Sequence, residues 1–134
     1  MRKSSNTTTL TNPSSDGEAC YWIAGTPQER LAQMRALVNQ HRDEAWARDV
    51  VDHVRAFYRP PLEYALLRWM HGHVGYVYVP PGKRQEDLVC SPLTIVKRGR
   101  GDCDQLSVVL ATLYDTARIA QRIVWEPQER YAQD

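Results

Sequence analysis

Cys103 has the sequence context that best suits a catalytic nucleophile. A glycine-containing loop, residues 98–101, is followed by Asp102, Cys103 and Asp104. Asp102 is a good N-cap residue, and the apolar residues that follow recur with helical spacing. The sequence therefore predicts that Cys103 lies in the first turn of a helix over roughly residues 103–117, where the helix dipole favours the nucleophilic thiolate.

Two interpretations of Cys103 stay open at this point. A cysteine at a helix N-terminus is a candidate nucleophile, but free cysteines are also among the most frequently buried residues. The carboxylates of Asp102 and Asp104 oppose a thiolate, because nearby negative charge disfavours a second anion. Three cations precede the cysteine, and we interpret them as solvated surface residues. The functional alternative is that their positive charges offset the negative charges of Asp102 and Asp104 near the thiol. The three cations are Lys97, Arg98 and Arg100.

Helices must make up most of the scaffold that holds this loop. A capping box of Thr26 and Glu29, with Pro27 at the first helical position, starts one helix. A second helix is predicted from about Asp43 to Tyr58, and a third from Pro61. Their apolar residues, and those of the cysteine helix, are expected in the core. They are Leu31, Met34, Leu37, Val38, Ala47, Val50, Val51, Val54, Phe57, Tyr64, Leu67, Trp69, Met70, Leu106, Val109, Leu110 and Leu113.

Extended segments are few. Residues 74–79 alternate aromatic and branched side chains and predict a short strand or extended segment. Residues 83–87 are expected to form a solvated loop, and Ser91 and Pro92 to begin a short helical turn that reaches Val96. Residues 119–125 contain β-prone side chains and predict a strand after the cysteine helix.

The residues around the cysteine resemble the transglutaminase-like superfamily, whose members share a papain-like arrangement of cysteine, histidine and aspartate. The motif is Gly-Asp-Cys-Asp-Gln-Leu at residues 101–106. Upstream residues resemble the lead-in of transglutaminase-like proteins from tailed bacteriophages and prophages, and the similarity covers roughly residues 26–126. The lead-in consists of His73–Val79, Pro81-Gly82, Glu86 and Ser91–Val96. The resemblance implies an α+β fold, with a helical N-terminal part and a cut-down transglutaminase-like core that has a cysteine-bearing central helix and few strands.

The chain departs from the family pattern where the general base is expected. In the superfamily the catalytic histidine lies on a strand after the cysteine helix, and an aspartate on the next strand orients it. Here the four histidines, His41, His53, His71 and His73, all precede Cys103. A cysteine nucleophile needs a base within hydrogen-bond reach. Three explanations stay open: a catalytically incomplete protein that uses the fold for binding, an enzyme with a recruited histidine, or a shortened product that another chain completes.

The resemblance therefore implies a phage-type protein that serves as a virion, structural or protein-binding component without complete catalytic machinery. The alternative is a thiol-dependent hydrolase, a cysteine peptidase or amidase, with Cys103 as nucleophile and His71 or His73 as a weak candidate base. The sequence leaves the choice between enzyme and non-enzyme open. No cofactor and no metal is predicted, because no standard zinc-binding spacing is present.

Composition limits the remaining possibilities. The length of 134 residues predicts one domain, residues 21–134, which is short at its C-terminus relative to the family. Residues 1–20 are polar and are predicted to form a flexible arm that contacts partner proteins such as phage structural subunits. The net charge of +1 gives no basis for specific nucleic-acid binding, and no apolar run is long enough to predict a membrane span.

The cysteine content bears on the compartment. Three cysteines, Cys20, Cys90 and Cys103, do not form a disulfide framework, and we predict free thiols. Free thiols and the absence of an apolar signal region predict the cytoplasm of a bacterial host, or the virion, as the location.

Overall fold

A computed structural model describes residues 20–78, 80 and 87–124 of the chain. Within them, helices and short strands combine in an α+β fold, which confirms the predicted class. The elements in chain order are β1 (Cys20–Ile23), α1 (Pro27–His41), α2 (Ala45–Phe57), α3 (Leu62–His73), β2 (Gly75–Tyr76), β3 (Asp87–Cys90), α4 (Pro92–Arg98), β4 (Arg100–Gly101) and α5 (Cys103–Thr116).

Helix α5 lies at the centre of the fold because two of its faces are buried. Val109 and Leu113 pack into one core cluster with α2 and α3. Val108 and Ala111 pack into a second cluster with β1, α1 and β3. The predicted helix is confirmed to within one residue at its end. The prediction missed its second buried face, because the sequence shows only one clear apolar stripe.

The first helix begins as its sequence predicts. The side-chain oxygen of Thr26 accepts a hydrogen bond from the Glu29 N–H at 3.2 Å, and the Glu29 carboxylate accepts one from the Thr26 N–H at 2.8 Å. These two bonds satisfy backbone donors that the first helical turn leaves free. Met34, Leu37 and Val38 are buried in the second core cluster, as predicted, whereas Leu31 is only half-buried.

Most core predictions for α2 and α3 are confirmed, but Val50 and Leu67 are half-buried at the edge of the core and two aromatic residues are exposed. Phe57, the last residue of α2, is 77% exposed, and its ring lies against the ring of His53 instead of the core. Tyr64 is 60% exposed, because the buried face of α3 runs through Ala65 and Leu66 to Trp69 and Met70. On α5, Leu106 and Leu110 are half-buried at the edge of the core.

Two small sheets join residues that are far apart in sequence. β1 pairs antiparallel with β3, and this register places Cys20 directly opposite Cys90. The two cysteines form a disulfide, so the prediction of three free thiols is wrong, and Cys103 alone is free. The reason is that neither strand was predicted, and without that pairing nothing in the sequence brings the two cysteines together.

The remaining strand predictions had mixed outcomes. β2 pairs in parallel with β4. It contains two residues of the predicted extended segment 74–79. Residue 79 lies outside the described part of the chain. Of the predicted solvated loop 83–87, Asp87 belongs to strand β3, and residues 83–86 lie outside the described part of the chain. The turn begun by Ser91 and Pro92 is helix α4, as predicted. Residues 119–124 pair with no strand in the described part of the chain, so the predicted strand there is wrong, and residue 125 lies outside that part.

The predicted arm lies almost entirely outside the described residues. Its last residue, Cys20, is buried in β1. Among the helices that the structure describes, none has both the length and the apolar character that crossing a bilayer requires.

Candidate functional site

The loop between α4 and α5 holds Cys103 through local backbone geometry. Gly99 ends α4 in the left-handed conformation, at a φ of 74°, which glycine adopts without steric cost. At Gly101 a Cβ atom would lie 2.9 Å from the Cβ of Gln105, so the close approach of loop and helix requires a glycine there. Asp102 then caps α5, with its Oδ1 accepting from the Gln105 N–H at 3.1 Å. Cys103 is the first residue of α5 and is exposed.

Three carboxylates surround this helix start, and we call Asp87, Asp102 and Asp104 the acidic cluster. Burial, together with the charges of Asp102 and Asp87, raises the pKa of Asp104 to about 6, while the charge of Arg30 opposes the rise. Burial also raises the pKa of Asp102, against the hydrogen bond from the Gln105 N–H, and Asp87 adds to the rise. The cluster therefore concentrates negative charge beside the thiol.

The thiol itself responds to this environment. Although the residue as a whole is exposed, partial desolvation of the sulfur at the helix start raises the pKa of Cys103 above its ordinary value, and the Asp104 and Asp102 carboxylates raise it further. The backbone N–H groups of the first helical turn act in the opposite direction, but they are the weaker influence. The net effect of these opposing influences on the pKa of the thiol is a rise, which favours the protonated form. Such a thiol is a poor nucleophile at neutral pH, because the thiolate is the reactive form.

The candidate bases lie at the end of α3. The ring of His73 stacks on the ring of Trp69, with centroids 4.4 Å apart, and its Nδ1 donates to the Trp69 carbonyl oxygen at 2.8 Å. A carbonyl oxygen only accepts, so the neutral ring carries its proton on Nδ1 and leaves Nε2 as the basic nitrogen. His71 is exposed on the same last turn of α3.

The small parallel sheet connects the two halves of the candidate site. Gly75, two residues after His73, pairs with Arg100, three residues before Cys103. The pairing brings the chain that leaves the histidines beside the chain that enters α5. Among the described residues, however, the hydrogen-bond partner of the Cys103 sulfur is Asp104 Oδ1 at 4.0 Å, and no hydrogen bond joins the sulfur to His71 or His73.

Two charged residues of the site could not be found from the sequence. Arg30, on α1, forms an ion pair with Asp87 on β3, and both act on the pKa of Asp104. Arg30 occupies a polar position of an amphipathic helix and Asp87 follows a charged stretch, so neither differs locally from a solvated surface residue. Of the three cations before Cys103, Arg98 lies with its guanidinium 3.2 Å from the sulfur of Cys90.

Comparison with known proteins found no matching family model, no matching curated protein and no matching solved structure. Within the described residues, no group of three or more histidine, cysteine, aspartate or glutamate side chains has the geometry to hold a metal ion.

Proposed function

We propose that this chain is a transglutaminase-like protein of the bacteriophage type that serves as a virion, structural or protein-binding component and lacks efficient thiol catalysis. The observation that carries the proposal is the environment of Cys103. Its sulfur lies at the start of a helix, yet burial and the two neighbouring carboxylates raise its pKa. A family member that depended on this thiol would need the opposite electrostatics.

The lack of a histidine hydrogen-bonded to Cys103 that could transfer protons supports the same proposal. Amide hydrolysis requires a general acid that protonates the leaving amine, and such acid–base help contributes about 10²–10⁴-fold in rate. No histidine follows Cys103, and neither His71 nor His73 is hydrogen-bonded to its sulfur in the described part of the chain. Within the described residues, the thiol therefore has no hydrogen-bonded histidine that could activate it or protonate the leaving amine.

The disulfide bears on the location of the mature protein. Disulfides persist in oxidising surroundings and are rare in a reducing cytoplasm. The Cys20–Cys90 bond therefore favours a protein that ends in the virion over one that stays in the host cytoplasm. Residues 1–20, which precede and include the disulfide-bonded strand residue Cys20, are the segment proposed to contact phage structural subunits.

Iodoacetamide labelling across pH tests the proposal. Cys20 and Cys90 are bonded to each other, so in the native, unreduced protein the label reports on Cys103, and a Cys103→Ser variant supplies the blank. We expect slow labelling near neutral pH that rises only in the alkaline range. We also expect the same profile in a variant that combines His71→Ala with His73→Ala. Fast labelling below neutral pH that disappears in this double variant would reveal a recruited cysteine–histidine pair and would overturn the proposal.

One observation favours a second candidate function, a thiol-dependent peptidase or amidase. The hydrogen bond to Trp69 fixes the tautomer of His73, with Nε2 as its basic nitrogen. Strand β2 follows His73 and pairs with β4, the strand that directly precedes α5 and Cys103. A rearrangement at the end of α3, or a complementing chain, would then have to supply the missing contact with the sulfur. The same labelling experiment separates this candidate from the first, because only a coupled histidine makes the thiol reactive in acid.

A further inference from the structure

The outer edge of strand β2 is unpaired in the described part of the chain. β2 belongs to a two-stranded sheet and has β4 on one side only. Gly75 N donates to Gly99 O and Val77 N donates to Gly101 O, each at 2.9 Å. Consecutive residues of a strand point their backbone groups to opposite sides. The N–H and C=O groups of Tyr76 therefore point away from β4, toward the open edge. The bond from Val77 N shows that the alternation continues one residue past β2, and from it we infer the same direction for Tyr78.

Among the described residues, this edge lacks the features that keep edge strands from pairing. Soluble proteins protect such edges with charged side chains, bulges or covering elements. Here Tyr76, Val77 and Tyr78 are 58%, 39% and 73% exposed, and residues 74–80 contain no charged side chain. A run of exposed aromatic and branched residues along an open edge indicates a surface that is covered in the functional state.

We propose that this edge pairs with the same edge of a second copy of the chain, and that the resulting homodimer contains a four-stranded sheet in the order β4-β2-β2-β4. A two-fold axis through Val77 makes the two edges self-complementary. Tyr76 of each copy then lies opposite Tyr78 of the other. Because the free backbone groups belong to these two residues, both cross-strand pairs are of the hydrogen-bonded type.

Side chains and charges fit this pairing. Side chains alternate between faces, so the tyrosines of both copies share one face and form two cross-strand aromatic pairs, which are a stabilising kind of pair in sheets. The nearest cation on β4, Arg100, is separated from its counterpart by three strand spacings, or about 14 Å. This separation exceeds the Debye length of about 8 Å at physiological ionic strength, so the two charges do not oppose the dimer.

The proposal is independent of any role of Cys103, and a cross-link tests it most directly. At the two-fold axis the two copies of Val77 form a non-hydrogen-bonded pair, with Cα atoms about 4.5 Å apart, which suits a disulfide. We expect Val77→Cys, in a Cys103→Ser background, to give a covalent dimer under mild oxidation. Phe57→Cys in the same background is the control, since Phe57 is more exposed than Val77 but belongs to helix α2 and not to the edge strand.

Sedimentation supplies the second measurement. The unmodified chain should sediment at twice its chain mass, and Val77→Lys should sediment as a monomer, because it places two lysines face to face at the axis. Phe57→Lys should remain a dimer, and circular dichroism checks that each variant is folded. A wild-type chain that stays monomeric at its highest soluble concentration, a dimer that survives Val77→Lys, or cross-linking of Phe57→Cys as efficient as that of Val77→Cys would overturn the proposal.

Discussion

At the scale of single residues, the position of Cys103 and its electrostatic environment point in opposite directions. The helix start favours a thiolate, whereas burial, Asp104 and Asp102 raise the thiol pKa. The sequence showed both aspartates but not the degree of their burial, which depends on the packing of β3 and α1 against the helix start. The position of the cysteine was therefore predictable, and its chemical state was not.

Replacing Asp104 tests this residue-scale account through stability. The folded-state pKa of Asp104, about 6, exceeds its ordinary value of 3.8. The folded state thus binds the proton more tightly, and this group makes the protein less stable as pH rises from about 4 to about 6. We expect Asp104→Asn, which mimics the protonated group, to be more stable than wild type at pH 7 and to lose that advantage near pH 4.

Urea unfolding at several pH values measures the effect. Asp52→Asn, at an exposed position of α2, is the matched control and should shift stability little at any pH. Wild type and Asp104→Asn with the same dependence of unfolding free energy on pH would contradict the account, because the carboxylate would then not be destabilised by its surroundings.

At the scale of elements, α5 dominates because it contributes to both core clusters. Leu113 is fully buried, whereas Leu110 is half-buried at the edge of the core. We expect Leu113→Ala to reduce the free energy of unfolding by about 2–5 kcal/mol, the usual cost of removing a buried leucine side chain. Leu110→Ala, the same chemical change on the same helix, should cost clearly less.

Chemical denaturation of the two variants compares them directly. Equal losses, or a loss under about 0.5 kcal/mol for Leu113→Ala, would contradict the assignment of the buried face, since such small effects are typical of surface substitutions.

Helices were predictable in this chain because their signals are local. The capping box at Thr26, the prolines that end α2 and the helical spacing on α5 need no distant partner. Strands β1 and β3 were missed because each has only four residues and becomes a strand through pairing with the other. The opposite error occurred at residues 119–124, where β-prone side chains find no partner strand in the described part of the chain and Ile123 packs on the core instead.

At the scale of the whole molecule, the disulfide joins the first described strand to the middle of the chain. It closes a long loop, with a sequence separation of 70 residues. Cross-links of this kind typically contribute about 2–5 kcal/mol to stability. We therefore expect a reducing agent to lower the free energy of unfolding by about that amount in wild type and in Cys103→Ser alike.

Thiol counting checks the premise of that prediction. In denaturant without reductant, one reactive thiol per chain should be found, and Cys103→Ser should show none. Three reactive thiols in wild type would show that Cys20 and Cys90 are not bonded, and the stability prediction would fail with them.

The central claim is that the fold suppresses the reactivity of Cys103 instead of activating it. The most direct measurement is the pKa of this thiol in the folded, disulfide-intact protein, compared with the same thiol in denaturant, followed by thiolate absorbance or alkylation rate. We predict that the pKa of the Cys103 thiol is higher in the folded state than in denaturant. In Asp104→Asn, we expect this pKa to return part of the way toward the denatured value. A folded-state pKa below the denatured value would contradict it and would identify Cys103 as an activated nucleophile.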